Sequence, residues 1–247
     1  MGRLGVAPAR ALALVKQVRR LPGLSLQGVL THFAAAAEDA EFSHAQRQRF
    51  EQVLAQLAAA GVDVPLVHAS NSGALLHEPA ARYNLVRPGL LVYGIVPPGT
   101  RRSETSIQDH LRPALAWKCR VSLVKEVPRG ATLSYGRTFI APRRLRVATL
   151  TAGYGDGYLR AASGHAQVLV GGRRCPVLGC VTMDQMLVDV SRVRGVKTGD
   201  EAVLIGRQGR EAITAPELAV WCGTIPWEVL TGITYRVPRV YRGGQAA

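Results

Sequence analysis

The chain has 247 residues, 47% hydrophobic and 19% charged, enough to bury one large core or two modest ones and too apolar for a disordered chain. Basic residues outnumber acidic ones 31 to 17, a formal net charge of +14, but only four are lysines and the arginines are scattered in pairs such as Arg19-Arg20, Arg143-Arg144 and Arg173-Arg174. With no single basic stripe and no zinc-finger, helix-turn-helix or RNP pattern, nucleic acid is not expected as a partner; with no apolar run near the ~18 residues of a span and no convincing leader in MGRLGVAPAR, no membrane is expected and a cytoplasmic setting is.

The first hundred residues alternate between helices and short apolar strands. APARALALVKQVRR (7–20) reads as a helix with Pro8 in its first turn, and SLQGVLTHFA (25–34) as a buried strand. A second helix is expected from Ser43 to Ala60, where Phe50, Val53, Leu54 and Leu57 follow the i, i+3, i+4, i+7 pattern and Gly61 stops it. PLVHAS (65–70) reads as a strand, followed by a small-residue turn, a short helix to about Pro79, and a strand near Tyr83 to Val86. This order predicts a parallel sheet covered by helices, with a site in the loops at the C-terminal strand ends. Those ends are His32, Asn71-Ser72 and Arg87-Pro88-Gly89, each more polar than its strand.

Residues 97–109 are polar and turn-rich, as a linker would be. The second half of the chain predicts a β-rich domain: ALAWKCRVSLVKEV, LRVATLTAGY, QVLVGGRRCPVLGCV, QMLVDVSRV and EAVLIG are separated by PRG, GG, TGD and RQG turns. PELAVWCG and TIPWEVLTGI read as two short helices before a closing strand, YRVPRVY. The expected division is 1–100, a linker over 101–112, and 113–247. Cys119, Cys175, Cys180 and Cys222 lack CxxC spacing, a disulfide-dense context and a nearby histidine, so reduced thiols and no metal set are expected.

Seven motifs occur in order: THFA (31–34), HASNS (68–72), RPGLLVYG (87–94), SYGRTF (134–139), AGYGDGY (152–158), GCVTMDQMLVDV (179–190) and TIPWEVL…YRVPR (224–239). Together they resemble the alanine racemases, enzymes that use pyridoxal 5'-phosphate (PLP). The resemblance implies an α/β plus all-β fold: part of a (β/α)8 TIM-type barrel, about its last three strands, followed by a C-terminal β domain. It also implies a homodimer whose active sites are shared between subunits, and interconversion of L- and D-alanine by a two-base, Lys/Tyr mechanism that supplies D-alanine for cell-wall synthesis.

The resemblance assigns roles by position. Tyr135 is the implied catalytic group; a phenol has an ordinary pKa of about 10, so it needs a cationic or hydrogen-bonding network to act at neutral pH. Asn71, Ser72, Gly89 and Leu90 match the phosphate loops, Arg87 faces the pyridine nitrogen, and His32 and His68 hold Arg87 and link it to the tyrosine. Arg3, Met183 and Asp184 match substrate-binding positions, Tyr154 the inner gate, and Arg160 and Cys180 the corridor by which substrate arrives. Asp156, between two glycines, reads as a turn-stabilising residue.

Departures shape the expectation. Trp227 stands where many members place a tyrosine that reaches the phosphate, Cys180 replaces a corridor arginine, and Ala37 lies where an acid is usual; such losses would relax substrate choice. None of Lys16, Lys118, Lys125 and Lys197 falls in the motif of the Schiff-base lysine. The chain is therefore expected to correspond to the C-terminal two-thirds of a longer one, with open sheet edges, and to be inactive alone. The competing readings are a serine or broad-specificity racemase on the same fold, and a non-catalytic remnant that binds a phosphorylated ligand or dimerises.

Overall fold

The structure, a computed structural model, describes residues 1–97, 99, 107 and 110–243. It divides into two compact units, Met1–Ala114 and Leu115–Ala247. The expected linker falls largely outside the described residues.

In the first unit, helix α1 (Pro8–Arg20) opens with proline in its first turn, where the missing N–H costs nothing. Strand β1 (Gly28–Leu30) pairs in parallel with β2 (Leu66–His68), with Val29 opposite Val67. Helix α2 (Ala40–Ala59) starts three residues earlier than its apolar periodicity suggests, because the Asp39 carboxylate accepts the Phe42 N–H at 2.9 Å and caps it. Its buried stripe, Phe50, Val53 and Leu57, packs in two directions. Phe50 joins Phe33, Ala36, Ala69, Ala74 and Ala81, while Val53 and Leu57 join Val15 and Val62. Helix α3 (Ser72–His77) is capped by Asn71, whose Oδ1 accepts the Ala74 N–H at 2.9 Å.

Both strands are shorter than the apolar runs that predict them. The segment expected to be a third strand, 83–86, is irregular. Tyr83 adopts φ 44, and the Asn84 amide takes the place of a strand neighbour, accepting from Val67 N–H and donating to Pro65 O, each at 2.8 Å. That side chain satisfies one backbone group of β2 and one of the residue before it, which a ladder would otherwise serve. Leu30, Leu66, Val86 and Val92 are exposed.

The second unit is a closed barrel. Strands β3 (Trp117–Val127), β6 (Leu145–Leu150), β7 (Gln167–Val170), β8 (Arg173–Leu178), β9 (Met186–Asp189) and β10 (Glu201–Gln208) pair antiparallel in the order β10-β3-β6-β9-β8-β7, and β10 also pairs with β7. The ring has no free edge at that seam, the general solution to the edge-strand problem. β10 meets both neighbours at Ala202 and Val203, opposite Cys119 and Lys118 of β3 and Val170 and Leu169 of β7; past a register slip between Val203 and Ile205, Gly206 turns at φ 125, a conformation suited to glycine, into its pairing with β11 (Glu211–Ile213). A small hairpin, β4 (Thr132–Leu133) and β5 (Phe139–Ile140), pairs with no strand of the ring but packs on it, Leu133 and Phe139 joining Val147 and Leu178.

Helices α4 (Ala215–Trp221) and α5 (Pro226–Gly232) form as expected. The closing strand predicted for YRVPRVY does not form. Val237 N–H bonds back to Thr234 O at 3.2 Å in a turn, Pro238 has no donor for a ladder, and Arg239 wraps its guanidinium onto the carbonyls of Ile233, Thr234 and Val237.

Candidate functional site

The C-terminal ends of β1 and β2 and the segment 87–91 meet at one pole of the first unit. Thr31 N–H continues the pairing to His68 O at 3.3 Å, and Arg87 N–H bonds Ser70 O at 2.9 Å, so three loops are fixed by backbone bonds before any side chain acts. Gln46 of α2 secures the first, donating to His32 O at 2.8 Å and to Thr31 Oγ1 at 3.1 Å.

Arg87 is the hub. Its guanidinium donates to Thr31 O at 2.9 Å, Ala69 O at 3.2 Å, His32 Nδ1 at 3.2 Å and His68 Nδ1. Because arginine only donates, both Nδ1 atoms must accept, which leaves the proton of each neutral imidazole on Nε2. The Asn71 amide sits 3.4 Å from His32 Nε2 and is oriented by its cap to Ala74, so it too presents a donor. The charged hydrogen bond from Arg87 outweighs this contact and sets the tautomer.

Beside the hub, Ser72 Oγ accepts Gly89 N–H at 2.8 Å and Leu91 N–H at 3.4 Å, and its residue is buried. The Ser72 hydroxyl thus accepts from the 89–91 turn and keeps its own proton to donate, and it joins this turn to the start of α3 beside the Arg87 network, a place where hydroxyl and backbone N–H groups could regroup around a phosphate. Arg3 lies on the exposed N-terminal stretch, near enough for its charge to act on His32.

Burial, then the Arg87 charge, then Arg3 hold the His32 imidazole below its ordinary value; burial and Arg87 do the same to His68. The folded chain keeps both neutral, whereas the unfolded chain protonates them near the usual pKa of about 6.5. This contribution to stability is full above that value and lost as pH falls from it toward the lowered folded values. The urea midpoint of the first unit, read from α2 amide NMR signals, should thus be lower at about pH 5.5 than at about pH 7.5. His32→Asn should reduce the difference and leave the His68 part of it, and a wild-type midpoint that does not move would refute the assignment.

In the second unit the remaining positions lie in the connections between barrel strands, except Trp227, which lies on α5. Tyr135 is 73% exposed at the tip of the β4–β5 hairpin. Ser134 at its base adopts φ 64, ψ −179, a region that is essentially glycine's and costs a serine about 1–3 kcal/mol. The Ser134 hydroxyl donates to Cys180 O at 2.7 Å, which joins the tip to the loop after β8.

Tyr154, Met183 and Asp184 are brought together. Tyr154 N–H bonds Thr182 O at 3.0 Å, and Gly155 N–H bonds Met183 O at 2.8 Å. Arg236, absent from the sequence-level candidates, pairs with Asp184 at 2.5 Å and with Asp156 at 3.4 Å. Asp156 also accepts Gly153 N–H at 3.0 Å, the turn role expected of it. The Asp184 carboxylate is thus committed to Arg236, while the Met183 main-chain N–H bonds to nothing among the described residues. Arg160 opens an exposed turn and Trp227 lies half-exposed on α5; no bond joins either side chain to the other candidates among the described residues.

Sequence reading missed Gln46, Ser134 and Arg236 as positioning groups. Only Ser134 carried a local signal, its place directly before Tyr135; the other two act across 12 or more residues of chain. The thiols are free, and burial pushes Cys119 up to about 12 and Cys175 and Cys222 up to about 11, so none of these three is a thiolate at neutral pH.

Known proteins share this layout. The family model "Alanine racemase, N-terminal domain" matches residues 1–97, and "Alanine racemase, C-terminal domain" matches residues 114–241. An alanine racemase of Symbiobacterium thermophilum is 49% identical over 249 aligned residues, covering 100% of this chain and 64% of the relative. One of Carboxydothermus hydrogenoformans is 46% identical, covering 98% and 65%. Among solved structures, alanine racemase from D-cycloserine-producing Streptomyces lavendulae superimposes with TM-score 0.89 at 39% identity, over 99% of this chain and 64% of that one. The Bacillus anthracis enzyme with bound L-Ala-P gives 0.87 at 37% identity, over 99% and 63%. The chain spans less than two thirds of the length of each of these relatives.

Proposed function

The chain belongs to the alanine racemase family, and on that premise we propose that it forms the C-terminal part of a PLP-dependent racemase that interconverts L- and D-alanine. The observation that carries the reading is the Arg87 guanidinium held by His32 and His68 beside the Ser72 hydroxyl and the Gly89 N–H. These groups fit the two ends of the cofactor. Ser72, Gly89 and Leu90, with Asn71 fixing the turn, would hold its phosphate; Arg87, charged at any physiological pH, would face its ring nitrogen. When bound, the cofactor supplies an electron-withdrawing ring that stabilises the charge left at Cα after proton loss.

The protein groups do the rest. The Tyr135 hydroxyl exchanges a proton with one face of Cα, in an active site shared with a second copy of the chain whose His32 and Arg87 assist it. Met183 N–H and Arg3 take the substrate carboxylate, and Arg236 keeps the 182–185 loop in place by holding Asp184. Tyr154 gates the approach, Arg160 and Cys180 line it, and Trp227 stands where a phosphate-binding hydroxyl is usual in the family. Free thiols support a reducing, cytoplasmic setting.

A non-catalytic reading is favoured by one observation: the first unit has a single lysine, Lys16, exposed on α1. Both readings predict that this chain binds PLP reversibly in equilibrium dialysis, in competition with inorganic phosphate, and that Ser72→Ala weakens binding. After borohydride reduction, mass spectrometry should show the unmodified chain. A lysine adduct would refute the expectation that the Schiff-base residue is missing from this segment, and failure to bind PLP at all would refute the assignment of the phosphate donors.

A further inference from the structure

We infer that Ser134 is the positioning residue for Tyr135, its hydroxyl tethering a strained hairpin tip to the loop that carries Met183; the role rests on the reading of Tyr135 as the proton-exchanging group. The tip spans 134–138, between the last pair of β4 and the first of β5, Leu133 opposite Phe139. Three of its five residues have positive φ: Ser134 at 64, Gly136 at 68 and Arg137 at 52. Only one of them is glycine, so the conformation is not one that the local sequence favours.

Nor does Tyr135 hold itself. Its side chain is exposed, and its hydroxyl bonds to nothing among the described residues. What fixes the tip lies at its base. Ser134 Oγ donates to Cys180 O at 2.7 Å, Thr138 Oγ1 lies 3.6 Å from Cys180 Sγ, and Arg137 N–H closes the turn onto Ser134 O at 3.2 Å. The opposing residue is Gly179, at φ 66; a Cβ there would stand 2.8 Å from Ser134 Cβ and 3.1 Å from Leu133 O. The bare glycine leaves the space that seats the serine.

Past Cys180 the chain runs to Val181, whose N–H bonds Ser163 Oγ at 2.9 Å, and on to Met183 and Asp184. One hydroxyl therefore couples the phenol-bearing tip to the segment that carries the Met183 N–H, which bonds to nothing among the described residues. A glycine at 134 would adopt the same backbone without strain but without the tether. Ser134→Gly consequently separates the two effects: it relieves strain and releases the tip.

The test uses the full chain labelled with 3-fluorotyrosine, with the Tyr135 resonance among the seven tyrosines assigned by Tyr135→Phe. In Ser134→Gly, the Tyr135 resonance is expected to narrow and move toward the position of free fluorotyrosine, while the other six stay in place and the thermal midpoint is unchanged or higher. Ser134→Thr, which keeps the hydroxyl, is expected to retain the wild-type resonance at a lower midpoint. An unchanged Tyr135 resonance in Ser134→Gly would overturn the inference, as would a change shared by all seven signals, which would mean loss of fold. Racemisation by Tyr135→Phe tests the chemical role of the phenol, so failure there and failure here are distinguishable.

Discussion

Replacement of Tyr135 by phenylalanine is expected to lower racemisation by about 10²–10⁴-fold, the range for loss of a positioned acid–base group. The assay uses the chain joined to the residues of the Symbiobacterium thermophilum relative that lie outside the matched segment. L- and D-alanine are mirror images, so their equilibrium constant is unity and kcat/KM must fall equally in both directions. The informative split is in isotope exchange. With the phenol gone, one enantiomer should still exchange its α-hydrogen with solvent deuterium through the group on the opposite face, while the other should not. Thermal stability should not change, because the hydroxyl of the exposed Tyr135 makes no bond among the described residues. Unchanged rates both ways would remove Tyr135 from the mechanism, and loss of exchange for both enantiomers would mean that it serves binding instead.

The second large effect is at Arg87. Arg87→Leu removes a guanidinium that donates to Thr31 O, Ala69 O and both imidazoles, and leaves two carbonyls and two ring nitrogens without their donor. Hydrogen bonds from a charged donor are worth about 1.5–3 kcal/mol, and water reaches part of this site, so a loss of about 2–3 kcal/mol in the first unit is expected. Arg87→Lys should recover less than half of it, since one ammonium cannot span four acceptors held by a planar fork. The same substitution tests the electrostatics. Without the Arg87 charge, one cause of the lowered His32 and His68 values is gone, so the acid-side loss of stability should shrink. Urea midpoints at two pH values measure both effects, and a pH dependence as steep in Arg87→Leu as in the wild type would contradict the network.

Much of the molecule was legible in the chain. Periodicity found α1 and the apolar stripe of α2, because a helix that buries one face must repeat near 3.6 residues whatever lies beneath it. Alternation and turn residues found β3 and β6 through β10, and the small polar residues after the apolar runs marked the pole where Arg87, His32, His68 and Ser72 meet. Legibility failed where a side-chain bond or a turn, neither of which leaves a mark on apolar periodicity, decides the backbone. The start of α2 depends on a side-chain cap, which a periodicity reading passes over. The strand expected over 83–86 is lost to the Asn84 amide, and the closing strand to a turn and the wrapping of Arg239.

The sequence by itself determined the two-part organisation, the residue types of the candidate site and membership of the family, since these rest on local patterning and on motifs in a given order. Tertiary structure alone decided how those residues act. The β10–β7 seam that closes the barrel, the four-way bonding of Arg87, the Arg236 clamp on Asp184 and the tether from Ser134 to Cys180 all join groups far apart along the chain. Their geometry comes from register and from backbone angles such as φ 64 at a serine, which residue propensities disfavour and which the bond to Cys180 O and the space at Gly179 accommodate.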